Sequence, residues 1–329
     1  MNFSSTHTHP RLRALRNLAF AIVVVWFAPY VASLAAGGFS SGQWTTPLFV
    51  LFLVFLYVIV FGGMGNVLDG QARPFTAMGL APRPGWGEEF ALGGVVGWAM
   101  VVVVVGAIAV VGSLRVGFDH SAGGWAGFLV NLVTILLASL GEEVVYRGYP
   151  FQRLMEATSP FIAVLIASIV FGVRHAGNPD ATPRSIAVTV FAGVVLSVAY
   201  LRTRALWLSW GLHFGWNFSL AAIFGLPMSG FGRYSSLVQT RARGPLWLTG
   251  GGYGPEASLT AAIVLFAGIW VVVRVTREYA WRYGHPEIIA GGIPVDIGGH
   301  PPVTAYPAPA AVAPEKPADE SGLVQIQLK

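Results

Sequence analysis

Long apolar runs, separated by short polar segments, fill the chain up to about residue 280. A helix needs about 20 mostly apolar residues to cross the ~30 Å hydrocarbon core of a bilayer, because it rises ~1.5 Å per residue. Eight runs meet this requirement and predict an all-α fold, a polytopic membrane helix bundle of about eight transmembrane helices. The predicted spans cover residues 17–36, 46–68, 90–112, 125–147, 160–178, 185–201, 205–224 and 258–279.

The first run has a second interpretation, because Arg11, Arg13 and Arg16 precede it and small residues end it. Those two features are also typical of a secretory signal peptide. The run is long for a signal peptide, and no soluble domain follows it. A membrane anchor is therefore the favoured interpretation, and a signal peptide stays the alternative.

The last part of the chain changes character. Pro, Ala and Gly dominate residues 284–329 without a helical period, which is typical of a disordered segment. The sequence thus predicts a transmembrane helical bundle over residues 1–283 and a disordered cytoplasmic tail over 284–329. No internal repeat is visible, so an inverted-repeat transporter finds no support.

Lys and Arg residues are distributed unevenly between the two sides of the predicted bundle. Cytoplasmic loops of membrane proteins carry an excess of these residues. If both termini are cytoplasmic, 14 of the 20 Lys and Arg residues lie on that side and 6 lie opposite. The preference for Arg over Lys fits a bacterial genome rich in GC. We therefore predict a multi-pass protein of a bacterial inner (plasma) membrane with both termini in the cytoplasm.

Composition supports the membrane class and excludes several kinds of site. Charged residues make up 11% of the chain, against ~25% in an ordinary soluble domain. The net charge is +5, but the arginines stand singly between apolar runs, so no nucleic-acid partner is predicted. The chain contains no cysteine, which excludes a thiolate metal site and a cysteine nucleophile. No H-E-x-x-H motif, nucleophile elbow, P-loop or dinucleotide loop is present.

Ionisable groups at membrane depth cost several kcal/mol and are candidates for function. Glu142, Glu143 and Arg147 end the fourth predicted span. Glu143 and Arg147 stand four residues apart on one helix face, in the favoured order for an ion pair. Glu142 lies about 100° around the helix and has no such partner, which leaves it free to act as a general base. The alternative is an interfacial charge cluster that closes the span.

Two further spans carry polar residues. His175 ends the fifth span, and both it and Glu143 lie 16 residues from Ser159, so an antiparallel hairpin would bring them level. This arrangement requires the helix to continue past Pro150 with a kink. His213 and Asn217 share a face of the seventh span and point into the bundle. The alternatives are an interface histidine at 175 and hydrogen-bonded helix packing at His213 and Asn217.

Together these side chains suit the addition of water to an amide. Glu142 would take a proton from water, and the histidines would hold that water directly or through a metal. His213 or Asn217 would donate to the developing oxyanion. Glu143 and Arg147 would form an ion pair that orients these side chains.

Three motifs in this order resemble those of the CPBP family, the CAAX protease or Abi family related to type II CAAX prenyl endopeptidases. "EEVVYR" fits E-E-x-x-x-R, "FGVRH" fits F-x-x-x-H and "HFGWN" fits H-x-x-x-N. "GGGYGPEASL" also looks like a loop of bacterial members. The resemblance covers a protease core at about residues 75–280. It leaves the first two spans and the tail without an assigned role.

The resemblance implies an intramembrane endopeptidase that acts on a membrane-associated peptide or protein within the lipid bilayer. Its catalytic residues would be Glu142, Glu143, Arg147, His175, His213 and Asn217. Members are described both as metalloproteases and as metal-free, glutamate-dependent enzymes. Zinc or another divalent metal would take Glu142, His175 and His213 as ligands, and Glu142 would then no longer be a free base. The prenylated CAAX substrate is not carried over, because bacteria generally lack it.

Two non-proteolytic functions remain as alternatives. A membrane scaffold or bacteriocin-immunity factor could keep the same fold without catalysis. A proton-coupled carrier could use Glu142 and the histidines as a relay, although only the buried ionisable groups favour it.

Overall fold

The computed structural model describes residues 9–71, 73, 75, 78–232 and 237–277. The predicted tail at 284–329 lies outside them. The helices of the described residues, in chain order, are α1 Pro10–Phe39, α2 Thr45–Asp69, α3 Trp86–Val111, α4 Ala122–Tyr146, α5 Tyr149–Ala157, α6 Pro160–Arg174, α7 Pro183–Thr203, α8 Leu206–Phe218, α9 Leu246–Thr249 and α10 Leu259–Val275. Two strands, β1 Ser113–Phe118 and β2 Val238–Arg243, lie in the loops.

Six helical segments of the described residues are long and apolar enough to cross a membrane. They correspond to α1, α2, α3, the pair α4 and α5, α6 with the 3₁₀ turn that follows it, and α7. The predicted helical membrane bundle is therefore confirmed. The two remaining predicted spans are helical but shorter. The helix α8 continues into a π-helical turn at Ser219–Ile223, and α10 has 17 residues.

The helix that carries the two adjacent glutamates ends earlier than predicted. A kinked helix through Pro150 was expected, but α4 ends at Tyr146 and α5 begins at Tyr149. Pro150 lies in the first turn of α5, where backbone N–H groups have no carbonyl partner within the helix. A residue without an N–H therefore costs no helical hydrogen bond there. The break therefore falls at Arg147 and Gly148. The Arg147 N–H still donates to the Glu143 carbonyl at 2.8 Å, so both side chains keep the same face.

A short antiparallel ribbon joins two loops and was not predicted. β1 pairs with β2 from Ser113 opposite Arg243 to Phe118 opposite Val238. The pairing places the loop between α3 and α4 on the same side of the bundle as the long loop after α8. Its segments of six residues are too short to stand out in a chain dominated by helical runs.

Glycines bring α3 and α8 into close contact. Gly93 and Gly97 of α3 face Gly211 and Gly215 of α8, at the four-residue spacing that lets membrane helices approach closely. A Cβ on Gly97 would lie 2.7 Å from the Trp216 nitrogen and closer still to the Leu212 carbonyl oxygen. This contact fixes the helix α8, which carries His213 between its two glycines.

A buried polar cluster attaches the N-terminal hairpin of α1 and α2 to α5. The Asp69 carboxylate accepts hydrogen bonds from the Asn17 amide at 2.8 Å, the Tyr149 hydroxyl at 2.7 Å and the Arg153 guanidinium at 3.0 Å. Arg153 also pairs with Glu156 at 2.6 Å. Since these residues come from three helices, the cluster fixes the hairpin against the segment that follows the two glutamates.

Candidate active site

A buried network centred on Glu143 joins three helices. Glu143 and Arg147 have no exposed side-chain surface, and their ion pair is 3.0 Å long. The same oxygen of Glu143 accepts a hydrogen bond from His213 Nδ1 on α8 at 2.8 Å. Arg147 also donates to the Gly193 carbonyl on α7 at 3.1 Å. A buried ion pair needs such additional partners to offset the loss of hydration.

Glu142 differs from its neighbour in both exposure and contacts. Its side chain is 41% exposed, and its Oε2 lies 3.6 Å from His213 Nε2. Because a carboxylate can only accept, His213 Nδ1 must carry the proton in the bond to Glu143. In the neutral ring, Nε2 is then an unprotonated acceptor that faces Glu142. His213 thus stands between one carboxylate that orients it and one that is open to solvent.

Phe171 packs between the other site residues. Its ring lies 4.7 Å from the His175 ring and 6.0 Å from the His213 ring, and the Arg147 guanidinium lies 4.7 Å from its centre. His175 directly follows α6 as its C-cap, and its Nδ1 bonds the Phe171 carbonyl at 2.7 Å. Since a carbonyl only accepts, Nδ1 carries the proton and Nε2 is the nitrogen left for other partners.

A cavity of about 370 Å³ connects the predicted residues. Glu142, His175, His213 and Asn217 line it, whereas Glu143 and Arg147 lie behind its wall. The structure thus brings four of the six predicted residues to one cavity and places the other two in the network that supports His213. Cavities of this size are within the range that holds small ligands.

The hairpin of α1 and α2 forms one wall of this cavity. Its lining is apolar except for Tyr57, with Val25, Pro29 and Leu53 among the contributing residues. Pro29 has no N–H and therefore leaves the Val25 carbonyl without its helical donor. The Tyr57 hydroxyl approaches that carbonyl at 3.4 Å. The wall therefore carries one hydrogen-bonded hydroxyl–carbonyl pair in otherwise apolar surroundings.

A family model described as "Type II CAAX prenyl endopeptidase Rce1-like" matches residues 123–219, which include all six predicted site residues. The CPBP/CAAX protease resemblance is confirmed. A relative from Bacillus subtilis (strain 168), named "Putative membrane peptidase YdiL", is 28% identical over 89 residues. The matched segment is 27% of this chain and spans about a third of that relative, 34% of its length. No solved structure matches the chain.

The family resemblance left both a metal-dependent and a metal-free reaction open, and we tested the metal against the donor set. Glu142 Oε2 and His213 Nε2 lie 3.6 Å apart, and the bond from His213 Nδ1 to Glu143 would leave Nε2 able to act as a ligand. Over the described part of the chain, no three His, Asp or Glu side chains are grouped so that they could hold an ion. The predicted set of Glu142, His175 and His213 does not fit a metal as arranged, so the reaction below has no step through one.

One further residue at the cavity was not singled out from the sequence. Glu256 lines it together with Glu142 and lies outside the segment that the family model matches. It belongs to "GGGYGPEASL", the loop already noted for its family likeness, and is the sole acidic residue of residues 225–257. A carboxylate in a Gly-rich loop is not unusual in itself, so it did not stand out as a buried charge does within a span.

Proposed function

We propose that this protein is an intramembrane endopeptidase that hydrolyses a peptide bond of a membrane-associated protein or peptide. The observation that carries the proposal is the half-exposed Glu142 carboxylate beside His213 Nε2, in a cavity that His175 and Asn217 also line. The Rce1-like match and the relative named as a membrane peptidase support it.

The first step is attack by water on the substrate carbonyl. Glu142 accepts a proton from the water, whose oxygen bonds to the carbonyl carbon, and the carbonyl electrons move to its oxygen. Asn217 donates an amide N–H to that oxyanion, and His213 donates through Nε2 when its ring carries both protons. His175 holds the water through Nε2. When the tetrahedral intermediate collapses, Glu142 passes its proton to the leaving amine.

Glu143 and Arg147 act through His213. The carboxylate of Glu143 holds the imidazole by its Nδ1–H, which directs Nε2 towards Glu142 and the cavity. Arg147 balances the negative charge of Glu143 in an interior that water does not reach. In this assignment the buried pair orients a catalytic group and does not touch the substrate.

The surroundings of the site indicate the kind of substrate. The apolar wall from α1 and α2 favours apolar side chains next to the scissile bond. Unfolded backbone in a membrane must find hydrogen-bond partners, and the Tyr57 hydroxyl, which donates to the Val25 carbonyl, keeps an oxygen that can accept from a substrate N–H. We propose a multi-pass protein of the bacterial inner membrane, with both termini cytoplasmic, that processes membrane-associated precursors or takes part in bacteriocin maturation. A bound metal stays a prediction.

The test compares Glu142→Gln with Glu88→Gln, an exposed acidic residue of α3, in purified protein reconstituted in lipid. A library of apolar membrane peptides serves as substrate, with cleavage followed by mass spectrometry. Glu142→Gln should reduce turnover about 10²–10⁴-fold, the contribution of a general base, and Glu88→Gln should not. Equal turnover in wild type and Glu142→Gln would reject the protease and favour a non-catalytic scaffold or immunity factor. Metal analysis of the same preparation tests the metal.

A further inference from the structure

The loop between α8 and α10 returns to the candidate active site. It places Glu256 on a 3₁₀ turn at Pro255–Ala257, immediately before α10. The side chain lines the same cavity as Glu142, His175 and His213. The proposed reaction uses the last three residues and leaves Glu256 without a role.

Glu256 accepts hydrogen bonds from two separate segments. Its Oε1 accepts from the Trp216 indole nitrogen at 2.9 Å. Its Oε2 accepts from the Ser229 hydroxyl at 2.9 Å and also from the Ser229 backbone N–H. Trp216 precedes Asn217 directly and lies three residues after His213 on α8. One carboxylate therefore ties the helix with the proposed oxyanion donors to the loop that follows it.

The connection continues from Ser229 to the segment that carries His175. The Ser229 carbonyl accepts a hydrogen bond from the Asn178 side-chain amide at 2.9 Å. The Asn178 backbone N–H in turn donates to the His175 carbonyl at 3.1 Å. A continuous series of hydrogen bonds, which we call the Glu256 clasp, thus runs from Trp216 through Glu256, Ser229 and Asn178 to His175.

The backbone conformation of Ser229 and Gly230 shows how closely this loop packs against the segment after His175. Ser229 has a φ of 50°, a left-handed conformation that is uncommon for residues other than glycine. Gly230, with a φ of 87°, lies so close to the Pro179 carbonyl oxygen that a Cβ would collide with it. The loop therefore lies directly against the segment that follows His175. The two hydrogen bonds from Ser229 to Glu256 hold this conformation.

The clasp adds directional bonds to a part of the site where helix packing supplies mainly apolar contacts. The helix α6 packs against α7, and α7 packs against α8. The Phe171 ring of α6 also reaches the His213 ring at 6.0 Å, but this contact is apolar and non-directional, whereas the clasp links the two segments by hydrogen bonds at the cavity. Small displacements between catalytic groups reduce rates strongly, by as much as about 10²-fold for 1 Å.

We propose that Glu256 is a positioning residue that fixes the spacing between His175 and the His213–Asn217 face of α8. The inference rests on the proposed function and extends the site beyond the segment that the family model matches. Glu256 acts through Trp216 and Ser229 and does not touch the reacting atoms. Its removal should therefore lower kcat while KM changes little.

The kinetic test uses Glu256→Ala, Glu256→Gln and Trp216→Phe. We expect Glu256→Ala to lower kcat about 10–100-fold, with KM within about threefold of wild type. Glu256→Gln keeps a carbonyl acceptor and should recover part of the loss. Because Trp216→Phe removes the same link at its other end, adding it to Glu256→Ala should cause little further loss. Fully additive losses, or an unchanged kcat in Glu256→Ala, would overturn the proposal.

A second measurement does not depend on activity. The chain has no cysteine, so Val173→Cys and Ile223→Cys introduce a single pair of spin-label sites, on α6 and on the turn after α8. Both side chains are exposed, at 57% and 40%. We expect Glu256→Ala to broaden the distance distribution between the labels, whereas the control Glu88→Ala should leave it unchanged.

The two measurements separate the inference from the proposed function. If wild type cleaves no peptide but Glu256→Ala broadens the distances, the protease proposal fails and the spacing role stands. If wild type is active and the distances in Glu256→Ala match those of wild type, the clasp is rejected and the protease stands. If Glu256→Ala does not fold, Glu256→Gln and Trp216→Phe provide the same comparison.

Discussion

Two buried polar clusters lie on either side of the break between α4 and α5, and they resemble each other closely. Glu143 pairs with Arg147 on one side, and Asp69 pairs with Arg153 on the other, each at 3.0 Å. Each carboxylate also accepts a hydrogen bond from a second helix, from His213 or from Tyr149. A burial criterion alone would therefore class both clusters as functional candidates.

The clusters differ in whether an acid is left without a cationic partner. Around Asp69, Arg153 pairs with both carboxylates, since Glu156 lies 2.6 Å from it. Around Glu143, the adjacent Glu142 faces the cavity, and over the described residues no Lys or Arg forms an ion pair with it. We propose that the fully paired cluster anchors helices, whereas the cluster that leaves Glu142 open to the cavity supports the proposed reaction.

The largest expected effect separates the clusters by turnover. Glu143→Gln should lower turnover by about 10²–10⁴-fold, because a carboxylate that orients a catalytic imidazole contributes on this scale. Asp69→Asn should leave the turnover of the folded protein within about twofold of wild type. The measurement is kcat per folded molecule on one peptide substrate. A comparable loss in Asp69→Asn would show that both clusters support catalysis.

The next effect separates the clusters by stability. Arg147→Ala leaves Glu143 buried without its cation, and such a loss costs about 3–5 kcal/mol. Arg153→Ala should cost less, about 1–3 kcal/mol, because Asp69 keeps two neutral donors and Glu156 is half exposed. Reversible unfolding of the reconstituted protein measures both free energies of unfolding. Equal losses would mean that burial of the cation is not what distinguishes the clusters.

The position of each residue along the chain explains which site residues the sequence could predict. Glu142, His175 and His213 stood out because ionisable groups are rare within apolar runs, and helical spacing then separated Glu142 from Glu143. Asp69 and Glu256 did not stand out, because a polar residue at the end of a span or in a loop is ordinary. Their partners lie 52 and 40 residues away in sequence, at Asn17 and Trp216, and no local pattern connects such positions.

The prediction of secondary structure also succeeded only where local sequence decides the outcome. The apolar runs predicted the bundle, because span length depends on local composition alone. The β1–β2 ribbon depends on pairing between loops more than a hundred residues apart, and the break before Pro150 depends on which turn the proline occupies. Both are decided by contacts and backbone geometry that a hydrophobic pattern does not contain.

A smaller effect is expected where α3 holds α8, the helix that carries His213 of the Glu143 cluster. Gly97→Ala puts a methyl group against the α8 backbone, at 2.7 Å from the Trp216 nitrogen, and should cost about 1–3 kcal/mol of unfolding free energy. It should also lower turnover, because α8 carries His213.

Gly94→Ala is the matched control, since its nearest contact would be 3.8 Å away. That variant should be neutral or stabilising by up to about 1 kcal/mol. The same result in both variants would rule out close packing as the cause.

The smallest effect returns to the anchoring cluster. Tyr149→Phe removes the 2.7 Å hydrogen bond to Asp69 and keeps the ring that stacks on Phe61. The carboxylate retains its donors from Asn17 and Arg153, so the free energy of unfolding should fall by only about 1 kcal/mol. Turnover per folded molecule should not change, as measured on the substrate used for Glu143→Gln. A drop in turnover without loss of stability would show that the hairpin of α1 and α2 acts on the site through α5, and the division between anchor and active site would then no longer hold.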